Sequence, residues 1–254
     1  MADEIVTERR GPVLLITLNR PDARNAVNSA LAAGLAAALD SLDADESLRV
    51  GVLYGAGKGF SAGMDLKAFV AGESPHVEGR GFAGITRRSA DKPLIAAIEG
   101  FAVAGGLEIA LSCDLIVAAR DARLGIAEVK RGLVAAAGAL FRLPQRVPYT
   151  AAMELALTGE FIDGARAYEL GLVNRASEPG AALDTALELA EAIGQNAPLA
   201  LVASKKIVSQ ASGWDEAEAW RHSDEIAGPV MSSEDAREGA TAFAEKRPPR
   251  WKGR

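Results

Sequence analysis

PLIAAIEGFAVAGGLEIALSCD (residues 93–114) passes through three patterns within 22 residues. PLIAAI is a short apolar run behind a proline, the mark of a buried strand. GFAVAGG then loses periodicity and gains glycine, which reads as a turn. LEIALS resumes with apolar positions spaced for a helix, and Glu108 falls in its first turn. The first amides of a helix have no intrahelical acceptor, and glycine lets a ligand atom approach them closely. A buried strand, free amides and a neighbouring carboxylate describe a candidate active site. A plainer reading stands beside it, in which Gly105 and Gly106 serve tight packing and Glu108 is a solvated acid favoured by the helix dipole.

Outward from this stretch the chain alternates strands and helices. PVLLITLN (12–19) and RVGVLY (49–54) read as strands, and ALAAGLAAALDSL as a helix capped by Asn28 or Ser29. A second Gly-rich loop, GAGKGFSAGMDL (55–66), precedes a short helix through LKAFV. It lacks the Ser/Thr and the first glycine of a phosphate-cradling loop, so what remains is another helix start with available amides. GESPHVEGR (72–80) reads as a mobile surface excursion, followed by a helix through ITRRSA. DLIVAA (114–119) is a further strand, and residues 121–143 pass from a turn through a short extended piece into an Ala-rich helix. Helices stopped at Gly159 and Gly171, a short strand through LVNRA and the helix ALDTALELAEAI follow. Three more helical patterns, at about 198–210, 214–226 and 233–246, precede a basic tail, RPPRWKGR. The order predicts an α/β core over residues 1–195 and a helical C-terminal region over 196–254 that packs on a neighbouring subunit.

Composition narrows the function classes. The chain has 254 residues, 49% hydrophobic and 24% charged, as an ordinary globular protein does. A net charge of −6 without a long basic run gives no nucleic-acid footprint. No apolar run approaches the roughly 18–20 residues of a membrane span, and MADEIVTERRGP lacks the apolar core of a signal peptide, so a cytoplasmic location is expected. One cysteine, Cys113, excludes an internal disulfide and reads as a buried structural thiol. Only two histidines, His76 and His222, are present, neither in a cluster. No metal site is expected, and carboxylates are the expected proton carriers.

The chain resembles the crotonase superfamily, the enoyl-CoA hydratase/isomerase fold. The matching segments are RPDARNAVN (20–28), GKGFSAGMDLK (57–67), KPLIAAIEGFAVAGGLEIALSCDLIVAA (92–119), LGIAEVKRGLV (124–134), LTGEFIDGARAYELGLVNRA (157–176) and AFAEKRPPRWKG (242–253). They run in family order over nearly the whole chain. The resemblance implies a crotonase-like (ββα) spiral core with a helical C-terminal trimerisation region. It implies an acyl-CoA substrate, no cofactor beyond the coenzyme A that the substrate carries, and a homotrimer or a hexamer built as a dimer of trimers. The reaction it implies is hydration of a 2-enoyl-CoA, with Δ3,Δ2-enoyl-CoA isomerisation or non-catalytic acyl-CoA binding as alternatives.

Site residues carry over from the same resemblance. The backbone amides of Met64 and Gly105 are to form an oxyanion hole for the thioester carbonyl, where developing negative charge needs preorganised donors. Glu108 is to orient water as a base and Glu128 to deliver a proton to the α-carbon. The plain alternative for Glu128 is a surface acid paired with Lys130 or Arg131. Arg24, Ala62, Asp65, Leu66 and Lys246 are implied coenzyme A contacts, with solvated surface charge as the alternative for Arg24 and Lys246. The chain departs from the family pattern at AAAGA (135–139), where PGAGG is usual, at Ile126-Ala127, where Gln-Pro is usual, and at Met64, where alanine is common.

Overall fold

A computed structural model describes residues 3–254; Met1 and Ala2, the head of the expected 1–195 core, lie outside the described residues. The strands are β1 (Ile5–Arg10), β2 (Val13–Leu18), β3 (Val50–Gly55), β4 (His76–Val77), β5 (Gly81–Phe82), β6 (Leu94–Ile98), β7 (Phe101–Val103), β8 (Leu115–Ala119), β9 (Arg123–Gly125), β10 (Ile162–Asp163) and β11 (Arg175–Ser177). The helices are α1 (Ser29–Ala44), α2 (Leu66–Val70), α3 (Gly105–Leu111), α4 (Ala139–Arg142), α5 (Tyr149–Thr158), α6 (Gly164–Glu169), α7 (Ala182–Gly194), α8 (Pro198–Gln210), α9 (Glu216–Met231) and α10 (Glu234–Glu245).

The main sheet has six strands in the order β1-β2-β3-β6-β8-β11, parallel except for the β1–β2 hairpin. Both faces of its four central strands, β2, β3, β6 and β8, are buried, which is why those strands read as unbroken apolar runs. Alternate residues of β2 divide between the faces: Leu14, Ile16 and Leu18 join α1 and α3, while Val13 and Leu15 join α7. The α7 face centres on Ala182, Ala186 and Ala190, one helical turn apart, with Leu183, Leu187 and Ile193 partly buried beside them. Asn28 caps α1, its Oδ1 accepting from the Leu31 amide at 2.9 Å, while the Ser29 hydroxyl donates to Glu73 instead. A smaller sheet, β10-β9-β7, carries the edge on which the site is built.

Four expectations need correction. GFAVAGG is not all turn, because Phe101–Val103 pairs in parallel with Arg123–Gly125 as β7. No helix forms through ITRRSA. The carbonyls that a helix would occupy there accept from arginines: Arg142 Nη2 donates to Thr86 O at 2.6 Å and Arg80 Nη1 to Arg88 O at 3.1 Å. The Ala-rich helix shrinks to Ala139–Arg142, because Gly138 adopts φ +117° and the amides of Ala137 and Ala139 point at a carboxylate. The excursion at 72–80 feeds the β4–β5 hairpin, and Arg80 in it is buried and paired with Asp40. β1 was not anticipated; its residues after Ile5 are all exposed, so no apolar alternation announces it.

The C-terminal region is helical, as expected from its pattern. α9 runs on past the expected 226 and through Pro229 to Met231. The basic tail folds back: Arg247 binds Glu238 through both terminal nitrogens, and the backbone amides of Lys252 and Gly253 donate to the buried Asp235. Cys113 is buried, and burial pushes its thiol up to about 12, consistent with an inert structural role.

Candidate active site

The two Gly-rich loops meet edge to edge. Asn25, fully buried, joins the 20–27 turn to the second loop: its Nδ2 donates to the carbonyls of Ala56 and Gly59, both at 2.9 Å, and its Oδ1 accepts from the Arg20 amide. The Ser61 hydroxyl donates to Asn25 O at 2.8 Å and accepts from the Gly63 amide at 3.1 Å. Ser61 also bridges to β7, accepting from the Val103 amide. Neither Asn25 nor Ser61 was assigned a part from sequence. The only signal was their place inside matching segments, since a core polar staple has no periodicity of its own.

This framework exposes two amides. Val27 pairs with Met64 in a parallel bridge, donating to Gly63 O and accepting from the Asp65 amide. In such a bridge the flanking residues face the partner, so the N–H of Met64 points the other way and has no protein acceptor among the described residues. Gly105 opens α3, and its amide is likewise without an acceptor. Ala104 before it adopts φ +53°, ψ −130°, a conformation costly for alanine, and its N–H is held by Gly125 O at 2.9 Å. A Cβ on Gly63 (φ +87°) would stand 2.8 Å from the Gly105 nitrogen, so glycine at 63 keeps the two amides on adjoining walls.

Glu108, one turn into α3, is only 4% exposed. Its Oε1 accepts from the Ala137 amide at 2.7 Å and the Ala139 amide at 3.2 Å. The AAAGA turn is thus a cradle for this carboxylate. Burial pushes the Glu108 carboxyl up from 4.5 to about 7, with the like charge of Glu128 adding to the rise and the two amides and Arg142 opposing it. Glu128 lies at the start of a short 3₁₀ turn, Glu128–Arg131, and burial raises its carboxyl too. Its Oε2 is buried with no hydrogen-bond partner, whereas Lys130 pairs with Glu160. The plain surface reading of both acids therefore fails. The structure brings Met64, Gly105, Glu108 and Glu128 together.

The remaining residues divide. Ala62 donates its amide to Arg24 O, which ties the two loops, and Arg24 is exposed with φ +54°. The Asp65 carboxylate is committed to the fold: it caps α2 through the amides of Lys67 and Ala68 and pairs with Arg20 at 3.0 Å. Leu66 is half exposed beside it. Lys246 is exposed at the end of α10, in a left-handed C-cap.

Charge at Glu108 has a consequence for stability. Between pH 4.5 and about 7 the native state keeps a proton that the unfolded chain has lost, so stability falls as pH rises through that window. Glu108→Gln is expected to unfold at higher urea than wild type at pH 8, by up to about 3 kcal/mol. The difference should vanish near pH 4. A gain that is the same at both pH values would refute the desolvated carboxyl.

A parallel main sheet, a second small sheet and two amide-bearing loops over buried carboxylates define a crotonase-fold α/β protein. The sequence profile of the enoyl-CoA hydratase/isomerase family matches residues 8–254, and the chain belongs to that family of enzymes. An enoyl-CoA hydratase from Mycobacterium tuberculosis, known as a crystal structure, shares 57% identity and superposes with a TM-score of 0.97 over 99% of this chain and all of that one. A second M. tuberculosis relative, enoyl-CoA hydratase EchA19, is 42% identical over 258 residues, 99% of this chain and 97% of its own. Carnitinyl-CoA dehydratase from Citrobacter koseri is 41% identical over 262 residues and the full length of both chains.

Proposed function

We propose that the protein is an enoyl-CoA hydratase that adds water across the double bond of a 2-enoyl-CoA thioester. The observation that carries this reading is a pair of desolvated carboxyls, one seated on two amides, beside two amides without acceptors. In this reading the thioester oxygen accepts from Met64 N and Gly105 N. Glu108, ionised, takes a proton from water as its oxygen bonds to the β-carbon. The π electrons move toward the thioester, and the charge that gathers on its oxygen is held by the two amides. Glu128, protonated, gives its proton to the α-carbon. The product is the 3-hydroxyacyl thioester, and the two carboxyls exchange one proton to reset. A pair of buried acids that repel one another favours such a split between base and acid.

The same residues run backwards as a dehydratase, and the carnitinyl-CoA dehydratase relative makes a 3-substituted acyl-CoA a second substrate class to test. Arg24, Lys246 and the 62–66 backbone are the proposed coenzyme A contacts, and no other cofactor is invoked. A homotrimer or hexamer is proposed on the exposure of Trp220, Met231 and Phe243 along the C-terminal helices. Among the described residues no helix is long and apolar enough to cross a membrane, and a cytoplasmic location is proposed.

The test is loss of conjugated-enoyl absorbance with crotonyl-CoA and with a longer 2-enoyl-CoA. Wild type is expected to consume both, and Glu128→Gln to lose at least about 100-fold in kcat. Bound acyl-CoA without any absorbance loss by wild type would sink the hydratase and leave the isomerase or binder.

A further inference from the structure

The turn that seats Glu108 has its own support. Arg142, at the end of α4, donates through Nη2 to Thr86 O at 2.6 Å and through Nη1 to Ala137 O at 3.3 Å. Ala137 is the residue whose amide holds Glu108 at 2.7 Å, so one residue is fixed at both its N–H and its C=O. The guanidinium lies directly under Gly138: a Cβ there would fall 2.0 Å from Nη1. Glycine at 138 thus provides both the φ of +117° that the turn needs and the space for the arginine. Four residues on, Arg146 Nη2 donates to the carbonyls of Leu111 and Cys113 at the C-terminal end of α3, the helix that carries Glu108. The 137–146 segment therefore grips both the carboxylate and the helix behind it.

We propose that Arg142 is a positioning residue for Glu108: by bridging Ala137 O and Thr86 O it sets the turn whose amides aim the carboxylate, and it ties that turn to the 81–90 segment. This rests on the reading of Glu108 as the water-activating base. Arg142 makes no hydrogen bond or ion pair with the Glu108 carboxylate itself. Charged groups that face Glu108 are Glu128 from the 3₁₀ turn and Arg142 from α4. The titratable groups that face Arg142 are Arg146, Glu108 and the Cys113 thiol. Loss of the guanidinium removes the cation that opposes the rise of the Glu108 carboxyl, and also frees the turn.

Two separate readouts follow. In Arg142→Met, kcat for crotonyl-CoA hydration is expected to fall about 10- to 100-fold, as a reacting group slips by a fraction of an ångström, while KM changes less than about threefold. The acid limb of kcat/KM should move to higher pH by about half a unit or more, because a positive neighbour is gone. Arg142→Lys keeps the charge but not the two-pronged reach, so it should restore the limb to within about 0.2 unit while kcat stays low. Gly138→Ala crowds the guanidinium without removing it and also strains the turn at φ +117°, so its kcat should fall at least as far as that of Arg142→Lys. A purely structural arginine would lower stability in all three and leave the limb in place. Glu108→Gln, run alongside, separates the two ideas. If it is inactive while Arg142→Met keeps full kcat and an unmoved limb, the positioning role alone is overturned; if it is active, the base reading falls and the positioning role with it. Should Arg142→Met not fold, full kcat in Arg142→Lys and Gly138→Ala overturns the proposal.

Discussion

Glu108→Gln is expected to lower kcat for hydration of crotonyl-CoA by about 10³-fold, within the range of a lost general base, with KM changed less than about threefold. The substitution keeps shape. The amide oxygen of Gln can still accept from Ala137 N and Ala139 N, where Glu108 Oε1 now sits at 2.7 and 3.2 Å. What changes is the second atom, an acceptor that becomes a donor with no basic lone pair. Water can then be neither deprotonated nor oriented by a lone pair, although the binding surface is unaltered. The same variant is predicted to be the more stable protein at pH 8, since a buried charge has been removed. Activity and stability would thus move in opposite directions from one atom, which a general loss of structure cannot imitate. Turnover within fivefold of wild type would end the two-carboxylate reading.

Much of this site was legible in the sequence because its parts are local. The buried strand, the Gly-Gly turn and an acid one turn into a helix all lie within residues 93–114, and their order alone places Glu108 beside free amides. Glu128 was different. Its own surroundings, Val129, Lys130 and Arg131, read as surface, and only the flanking match singled it out. Its desolvation arises from a fold that no short window contains. The 135–139 turn shows the opposite failure. Its alanines favour a helix locally, but their amides are claimed by a carboxylate 29 and 31 residues earlier, and a tertiary hydrogen bond outweighs a weak propensity. ITRRSA fails for the same reason, with arginine side chains taking the carbonyls that a helix would need. The departure from glycine at 136 and 139 is also explained. The cradle uses backbone N–H groups, which alanine supplies as well as glycine, and the one position in the turn that requires φ above zero, Gly138, has kept it.

The proposed oxyanion pair, Met64 N and Gly105 N, is open to disruption by a single steric change, Gly106→Ala. A Cβ at 106 would lie 2.1 Å from Ser61 O and 2.8 Å from Ser61 C, both backbone atoms. Ser61 cannot retreat cheaply. It accepts from the Val103 amide at 3.1 Å and donates its hydroxyl to Asn25 O at 2.8 Å, and its hydroxyl in turn receives the Gly63 amide. Either α3 or the 61–64 loop must move, and either motion separates Met64 N from Gly105 N. Loss of one well-aimed donor costs about 10²–10³-fold in kcat, so a fall of that size is expected in hydration, with a smaller change in KM. Stability should fall as well, by about 1–3 kcal/mol for a steric change in a packed core. Gly213→Ala supplies the comparison, because a Cβ there meets nothing within 4 Å and the residue closes a short 3₁₀ turn, Ala211–Gly213, away from the site. That variant should keep full activity and change stability by less than about 0.5 kcal/mol, as an exposed substitution away from special features does. A Gly106→Ala enzyme with wild-type kcat would mean that the amides of Met64 and Gly105 do not hold the reacting carbonyl, and the thioester would have to be polarised elsewhere in the fold.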